Sequence, residues 1–312
     1  MKKVLICGGS GFIGKNLIKY LKKKPYKIFA TYKTKKPNNF NYVKWIKSDL
    51  TSKNDVEKTI KNYQIIIQCA AVTSGAKDMV TNPFSLIGDN VVMNSLVLKE
   101  TVKKNIKHFI FLSCSVMYHH SKKKLKEKDY DPKKKLNKIY EGMALSKVYI
   151  ENMCKFFSER SKTKFTVLRH TNIYGPYDKF ENKKSHFMAS TITKARYAKK
   201  KLEVWGNGNE KRDFLYVDDL CSAIECVLKK QKNSFELLNI SYGKMFSIKE
   251  IVKKVKKIIK KNYQILFDTT KPTININISV DNNKVIQQYK WKPKNKIDDG
   301  IRKTISWYLK NY

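Results

Sequence analysis

Arginine is scarce in this chain of 312 residues: Lys and Arg together number 66, yet arginine stands only at Arg160, Arg169, Arg196, Arg212 and Arg302. Acids are also few, with 26 Asp and Glu against those 66 bases and a formal charge of +40. Such a charge raises the question of nucleic acid. Readers of bases and phosphates lean on the planar fork of arginine, however, and here lysines run from end to end, so no nucleic-acid partner is expected. The positive field is suited instead to drawing in a small polyanion such as a nucleotide diphosphate. Also missing is any run of roughly eighteen apolar residues, which excludes a membrane-spanning helix. Cys7, Cys69, Cys114, Cys154, Cys221 and Cys226 contain no C-x-x-C pair, which speaks against a disulfide framework and a zinc site. The first residues read as a strand rather than a signal peptide, so a cytoplasmic protein with reduced thiols is expected.

What is present begins with Lys3-Val4-Leu5-Ile6-Cys7-Gly8-Gly9-Ser10-Gly11-Phe12-Ile13-Gly14. An apolar run breaks into glycines at 8, 11 and 14, and a helical pattern follows at 15–24. Strand, tight turn and helix in that order form the geometry a pyrophosphate needs, with glycines for close backbone approach and free N–H groups at the helix start.

Apolar and amphipathic segments then alternate: 28–31, 55–61, 65–70, 90–103, 109–113, 142–157 and 166–169. Alternating strands and helices predict βαβ units and an α/β, doubly wound parallel sheet. From Thr171 the character changes, with Gly175-Pro176, an aromatic loop and shorter elements. We expect a dinucleotide domain at 1–170 and a smaller α/β substrate domain at 171–312, with a segment near 212–230 returning to the first. The lysine-rich run 122–138 with Pro132 reads as a solvated loop.

The glycine stretch, Ser48-Asp49-Leu50, Cys69-Ala70-Ala71, Ala144-Leu145-Ser146-Lys147, Arg169-His170-Thr171-Asn172-Ile173-Tyr174-Gly175-Pro176 and Arg212-Asp213-Phe214-Leu215-Tyr216-Val217-Asp218-Asp219-Leu220 occur in one order. Together they resemble the extended short-chain dehydrogenases of the nucleotide-sugar epimerase/dehydratase family, which implies a Rossmann sheet. Residues 172–180, Ser185-His186 and Val204-Trp205-Gly206-Asn207-Gly208 are most similar to the GDP-fucose synthase branch. The resemblance implies a GDP-sugar substrate, and its nearest placement is a GDP-mannose- or GDP-heptose-type C4 dehydrogenase of bacterial surface-polysaccharide (capsule) synthesis.

By the same resemblance the cofactor would meet Gly8, Ser10, Gly11, Phe12 and Ile13 at its pyrophosphate, Asp49 and Leu50 at the adenine, and Ala70, Ala71 and Asn90 beside the phosphates and ribose. The backbone of His170 would face the nicotinamide. The acid usually found about twenty residues after the glycines, which holds the ribose 2′-hydroxyl, is missing; Thr31, Tyr32 and Lys33 stand there instead. NAD is the expected cofactor, with NADP left open because Lys33 or Lys35 would suit a 2′-phosphate.

Family members use a Tyr four residues before a Lys, a spacing that stacks both on one helical face. Here Lys147 is preceded by Met143, and a thioether cannot donate a proton. The slot of the family's Ser or Thr holds Cys114, flanked by Ser113 and Ser115 that should face the other way on a strand. Tyr140, about two turns before Lys147, is the candidate replacement acid/base, together with His186, which falls where the fucose synthases keep a catalytic histidine. His119 and His120 read as surface residues. The cysteine with which that branch epimerises C3 and C5 corresponds to Val116, so hydride exchange at C4 without epimerisation is expected; a reductase/epimerase of the fucose synthase type and a catalytically silent binding subunit are the alternatives.

For the substrate the resemblance implies Arg212 and Lys194 at the diphosphate, Asn172 at a phosphate and Val204 with Trp205 along the nucleotide. A salt bridge from Arg212 to Asp218 or Asp219 is the competing reading, and segment 273–280 lacks the arginine often found there. No metal is implied. The helical segments 90–103 and 142–157 carry apolar residues at spacings of three and four, as expected for a homo-oligomer, at least a dimer.

Overall fold

β1 (Lys2–Cys7) divides its side chains between two cores, as the two-residue pleat requires. Val4 and Ile6 pack on one side with Leu17, Ile18 and Leu21 of α1 (Phe12–Leu21), whereas Leu5 and Cys7 pack on the other with Met93, Val97, Ile150 and Cys154. Those last four come from α3 (Ile87–Lys103) and α4 (Glu141–Ser158), both on the second face. A strand buried on both faces, with helices covering each, is the mark of a doubly wound sheet.

The structure, a computed structural model, describes residues 1–73, 82–121, 123–181, 185–271, 273 and 277–312. Lys122, at the start of the expected loop, and positions 274–276 lie outside the described residues. β1 pairs in parallel with β2 (Tyr26–Tyr32) and β4 (Ile65–Gln68); β2 adds β3 (Lys44–Lys47), and β4 adds β5 (His108–Cys114), β6 (Lys164–His170) and β10 (Phe235–Ile240). The spatial order is β10-β6-β5-β4-β1-β2-β3. The winding reverses between β1 and β4, and the carboxyl ends of the strands there open a crevice suited to a ligand.

After His170 the chain leaves this sheet. β7 (Asn172–Tyr174), β9 (Lys211–Tyr216) and β11 (Met245–Ser247) form a second sheet, and β8 (Lys201–Trp205) pairs with β12 (Gln264–Asp268). They surround a separate core that includes Phe180, Ile192, Phe214, Val252 and Tyr308. Within the segment 212–230, β9 (Lys211–Tyr216) belongs to the small sheet, while α6 (Val217–Lys230) packs against the large sheet and leads into β10, which lies beyond that segment. The cause is the apolar stripe Leu220, Ala223, Ile224 and Val227, which is buried in the core shared with α1. No described helix is long and apolar enough to cross a membrane.

Candidate active site

Gly8 leaves β1 with φ +74°, and a Cβ there would lie 2.5 Å from the Ala70 Cα. A side chain at Gly14 would strike the Gly8 carbonyl. Glycine is therefore required at both points for the turn to pass this close to β4. The turn is braced by the Gly8 N–H donating to Thr31 Oγ1 at 2.8 Å and the Gly11 N–H donating to the Gly8 carbonyl at 3.0 Å. Gly11 caps α1 with no side chain, leaving first-turn N–H groups for a ligand. This cradle fits the pyrophosphate of a dinucleotide.

Beyond it, Lys33 at the end of β2 pairs with Asp49 at 2.8 Å. Lys33, helped by Thr51, holds the Asp49 carboxyl below its ordinary value. Leu50, Ala70 and Ala71 line the same cleft. Asn90 lines it too, but its amide is engaged with both backbone groups of Val72 and with the Leu86 carbonyl, so it braces the wall.

Lys147 and Met143 face the cleft from α4, one turn apart, opposite Cys114 at the end of β5. The Lys147 ammonium donates to the Leu112 carbonyl at 2.9 Å and lies 4.6 Å from the Phe111 ring centre. Burial lowers its pKa, and burial raises that of the Cys114 thiol. Ser113 turns away, as strand alternation requires, and donates to Glu151 at 2.5 Å. Glu151 in turn pairs with Arg169 at 2.6 Å, and Arg169 donates to the Tyr118 hydroxyl at 2.9 Å. This buried set ties β5, β6 and α4 together directly behind the site, and motif reading did not single it out.

Tyr140 occupies the N-cap of α4, so the helix begins early enough to bring this phenol into the cleft with Met143 and Lys147. Burial raises its pKa; the Arg212 charge opposes that rise and Cys114 adds to it. His186 caps α5 (Phe187–Tyr197), and its Nδ1–H donates to the buried Asp178 carboxylate at 2.8 Å. Burial pulls the His186 pKa down, but Asp178 outweighs it and the net shift is upward. His170 donates its Nδ1–H to the Thr171 carbonyl at 2.8 Å, and burial brings its pKa to about 4. His119 and His120 do not line the cleft.

At the far end stand Lys194, Trp205 and Arg212. Arg212 lies 5.7 Å from the Phe187 ring centre and has no carboxylate partner among the described residues. The competing salt bridge to Asp219 is absent, because that carboxylate accepts from the Lys294 and Asn295 N–H groups. Lys194 sits 5.7 Å from the Trp205 ring centre, and Trp205 Nε1–H donates to Glu203 at 3.1 Å. The Val204 side chain packs into the second core. Asn172 donates its amide to the Asp213 carbonyl at 3.0 Å and is thereby anchored to β9. Lys35 does not line the cleft; the other residues named from the sequence as site candidates all do, in one cleft of about 800 Å3 shared by the glycine turn and Arg212.

The profile of the NAD dependent epimerase/dehydratase family matches residues 4–241. The chain belongs to this family. Its cofactor is accordingly NAD, which the cradle at Gly8 and Gly11 fits. Among relatives, the GDP-L-colitose synthase of Yersinia pseudotuberculosis is 26% identical over 98% of each chain. A GDP-L-fucose synthase of Sinorhizobium fredii is 26% identical over 99% of this chain and 96% of its own. Of solved structures, UDP-glucose 4-epimerase from Thermotoga maritima superposes with a TM-score of 0.86 at 23% identity, covering 99% of both chains. A GDP-6-OMe-4-keto-L-xylo-heptose reductase from C. jejuni gives 0.86 at 22% identity, covering 100% of this chain and 98% of that one. The family's α/β fold is thus shared across the full length.

Proposed function

We propose that this member of the family exchanges a hydride between NAD and C4 of a GDP-linked hexose or heptose, working in the cell as a reductase of the 4-keto sugar. The observation that carries the reading is one cleft lined both by the glycine turn and by the Arg212 guanidinium, which has no carboxylate partner among the described residues, with Lys147 on the same lining. Two anionic ligands placed end to end would each find a counter-charge or N–H cradle, their reacting parts meeting at Lys147. GDP as the nucleotide draws support from the two GDP-sugar synthases that match over the whole length at 26% identity.

NAD in its reduced form, when bound, supplies the hydride. Lys147 fixes the ribose hydroxyls and lends positive charge to the site. Tyr140 delivers the proton to the developing C4 oxyanion, and the Arg212 charge opposes the rise in its pKa that burial causes. His186, held by Asp178, hydrogen-bonds the sugar, and Arg212 with Lys194 grips the diphosphate. Val116 lines the cleft where an epimerising enzyme needs a proton shuttle, so C3 and C5 keep their configuration.

The product belongs to bacterial surface-polysaccharide synthesis in the cytoplasm. The working unit is a homo-oligomer, supported by Val92, Leu145, Tyr149 and Phe156, which are 44%, 52%, 47% and 44% exposed on α3 and α4. The test is to mix reduced cofactor with a panel of GDP-4-keto sugars and follow the reduced-nicotinamide absorbance. Loss of absorbance supports the reading; none across the panel rejects it.

A further inference from the structure

Pro176 follows β7 and runs back against the dinucleotide-binding half of the chain. Its carbonyl accepts from the Asn16 side-chain amide at 2.7 Å, and that amide also donates to the Phe12 carbonyl at 2.9 Å, so Pro176 rests on the first turns of α1. Three residues on, the Lys179 ammonium donates to the Thr73 hydroxyl at 3.0 Å and to the Thr73 carbonyl at 3.2 Å. Thr73 follows β4 beside Val72, whose N–H and carbonyl are both held by Asn90 of α3. The segment 176–179 is thus tied at one end to α1, on one face of the large sheet, and at the other to a loop pinned by α3, on the opposite face. To join those anchors it passes over the carboxyl ends of β1 and β4, where Gly8, Gly11 and Ala70 form the pyrophosphate cradle. Three residue steps reach about 10 Å at most, so the crossing has little slack.

The crossing is also held at its middle. Asp178 is buried, and one oxygen of its carboxylate accepts both the Lys179 N–H at 2.7 Å and the His186 Nδ1–H at 2.8 Å. Tyr177 takes a left-handed conformation, φ +65°, which a residue with a side chain adopts only where its surroundings hold it. Its ring supplies that hold, packed on Phe40 and Trp307. Lys179 and Thr73 both line the cleft, and Lys179 is exposed, so the bridge stands on the open side of the site where a ligand passes.

We propose that the Lys179–Thr73 bridge is a clasp that closes segment 176–179 over the diphosphate of NAD, and that it must open each time a dinucleotide enters or leaves. The inference goes beyond the identity of the sugar, because it concerns only the family's cofactor. Two hydrogen bonds at an exposed site are strong enough to keep the clasp mostly shut and weak enough to yield during turnover. A clasp sets the rate of exchange in both directions. Its loss should therefore quicken entry and release together and leave affinity nearly unchanged.

The test is stopped-flow fluorescence of the full chain with reduced NAD, measuring entry on mixing and release on chasing with excess oxidised NAD. In Lys179→Met both rates should rise by about fivefold to thirtyfold, with the Kd within about threefold of wild type. Thr73→Val keeps the charge and removes one of the two bonds, so both rates should rise by about threefold. Lys179→Arg can still bridge, and its rates should stay within about threefold of wild type. Unchanged rates in Lys179→Met overturn the proposal. So does faster release with slower entry, which would make Lys179 an attractor of phosphate rather than a clasp. Should Lys179→Met fail to fold, Thr73→Val decides, since unchanged rates there overturn the proposal equally; no GDP-sugar is used, so the result is independent of the substrate reading.

Discussion

Lys33 and Asp49 close a 2.8 Å ion pair on the wall of the cleft, with Asp89 adding a second negative charge near the same ammonium. Lys33 is the cation at the end of β2 that a 2′-phosphate would need, and it is already engaged by Asp49. NAD should therefore bind more tightly than NADP. In Asp49→Asn the lysine is released, and the preference for NAD should narrow by about fivefold, the equivalent of an exposed ion pair of about 1 kcal/mol. Fluorescence titration with both reduced cofactors measures it; an unchanged ratio would show that the pair plays no part in the choice.

Tyr140 should carry the proton in place of the phenol that Met143 cannot supply. Tyr140→Phe is expected to lower kcat by roughly a hundredfold to ten-thousandfold with GDP binding retained. Met143→Tyr restores a phenol one turn from Lys147, and should leave nucleotide binding intact while raising turnover and rescuing Tyr140→Phe. Full activity in Tyr140→Phe would move the proton route elsewhere, to His186 or an ordered water.

Much of this was legible in the residues themselves. The strand, glycine turn and helix at 2–21 are local, since periodicity and glycine spacing set them without help from distant chain. Lys147, Arg212 and His186 sit at motif positions and fall in one cleft. The Glu151–Arg169–Tyr118 set was not legible, because it joins residues from α4, β6 and the loop after β5, and nothing in the sequence marks three scattered polar residues as one buried network. The return of β10 to the large sheet escaped for a like reason: an apolar hexapeptide does not state its partner, and pairing with β6 is fixed by the core that α6 builds.

Epimerisation should be absent. In heavy water with a GDP-4-keto sugar and no cofactor, the wild type should leave C3 and C5 unlabelled by NMR. Val116→Cys places a thiol in the cleft that His186 also lines and is expected to introduce slow exchange. Rapid labelling by the wild type would establish a reductase/epimerase instead.

Stability should fall as the pH drops below neutrality. His108 is buried on β5 against Thr166 at 2.7 Å, and burial lowers its pKa from 6.5 to about 4. Between those values the unfolded chain binds a proton that the folded chain refuses, so stability is present above the unfolded value and is lost as the pH falls toward the folded one. From pH 7 to pH 5 this histidine should remove on the order of 2 kcal/mol. The buried Asp213 carboxyl, raised by burial to about 6, acts in the opposite sense, since its protonation on acidification favours the folded state. Urea unfolding of His108→Gln at both pH values isolates the histidine, and the variant should lose less stability on acidification than the wild type.

The most direct test is a single-turnover mixing of the chain, reduced NAD and a GDP-4-keto sugar, with the reduced-nicotinamide absorbance followed beside Lys147→Ala. The account predicts a stoichiometric loss of absorbance in the wild type, slowed at least a hundredfold in the variant, which should also hold the cofactor more weakly. Both ligands bound to the wild type with the absorbance unchanged would contradict it and leave a protein that holds a dinucleotide and a nucleotide sugar without joining their chemistry.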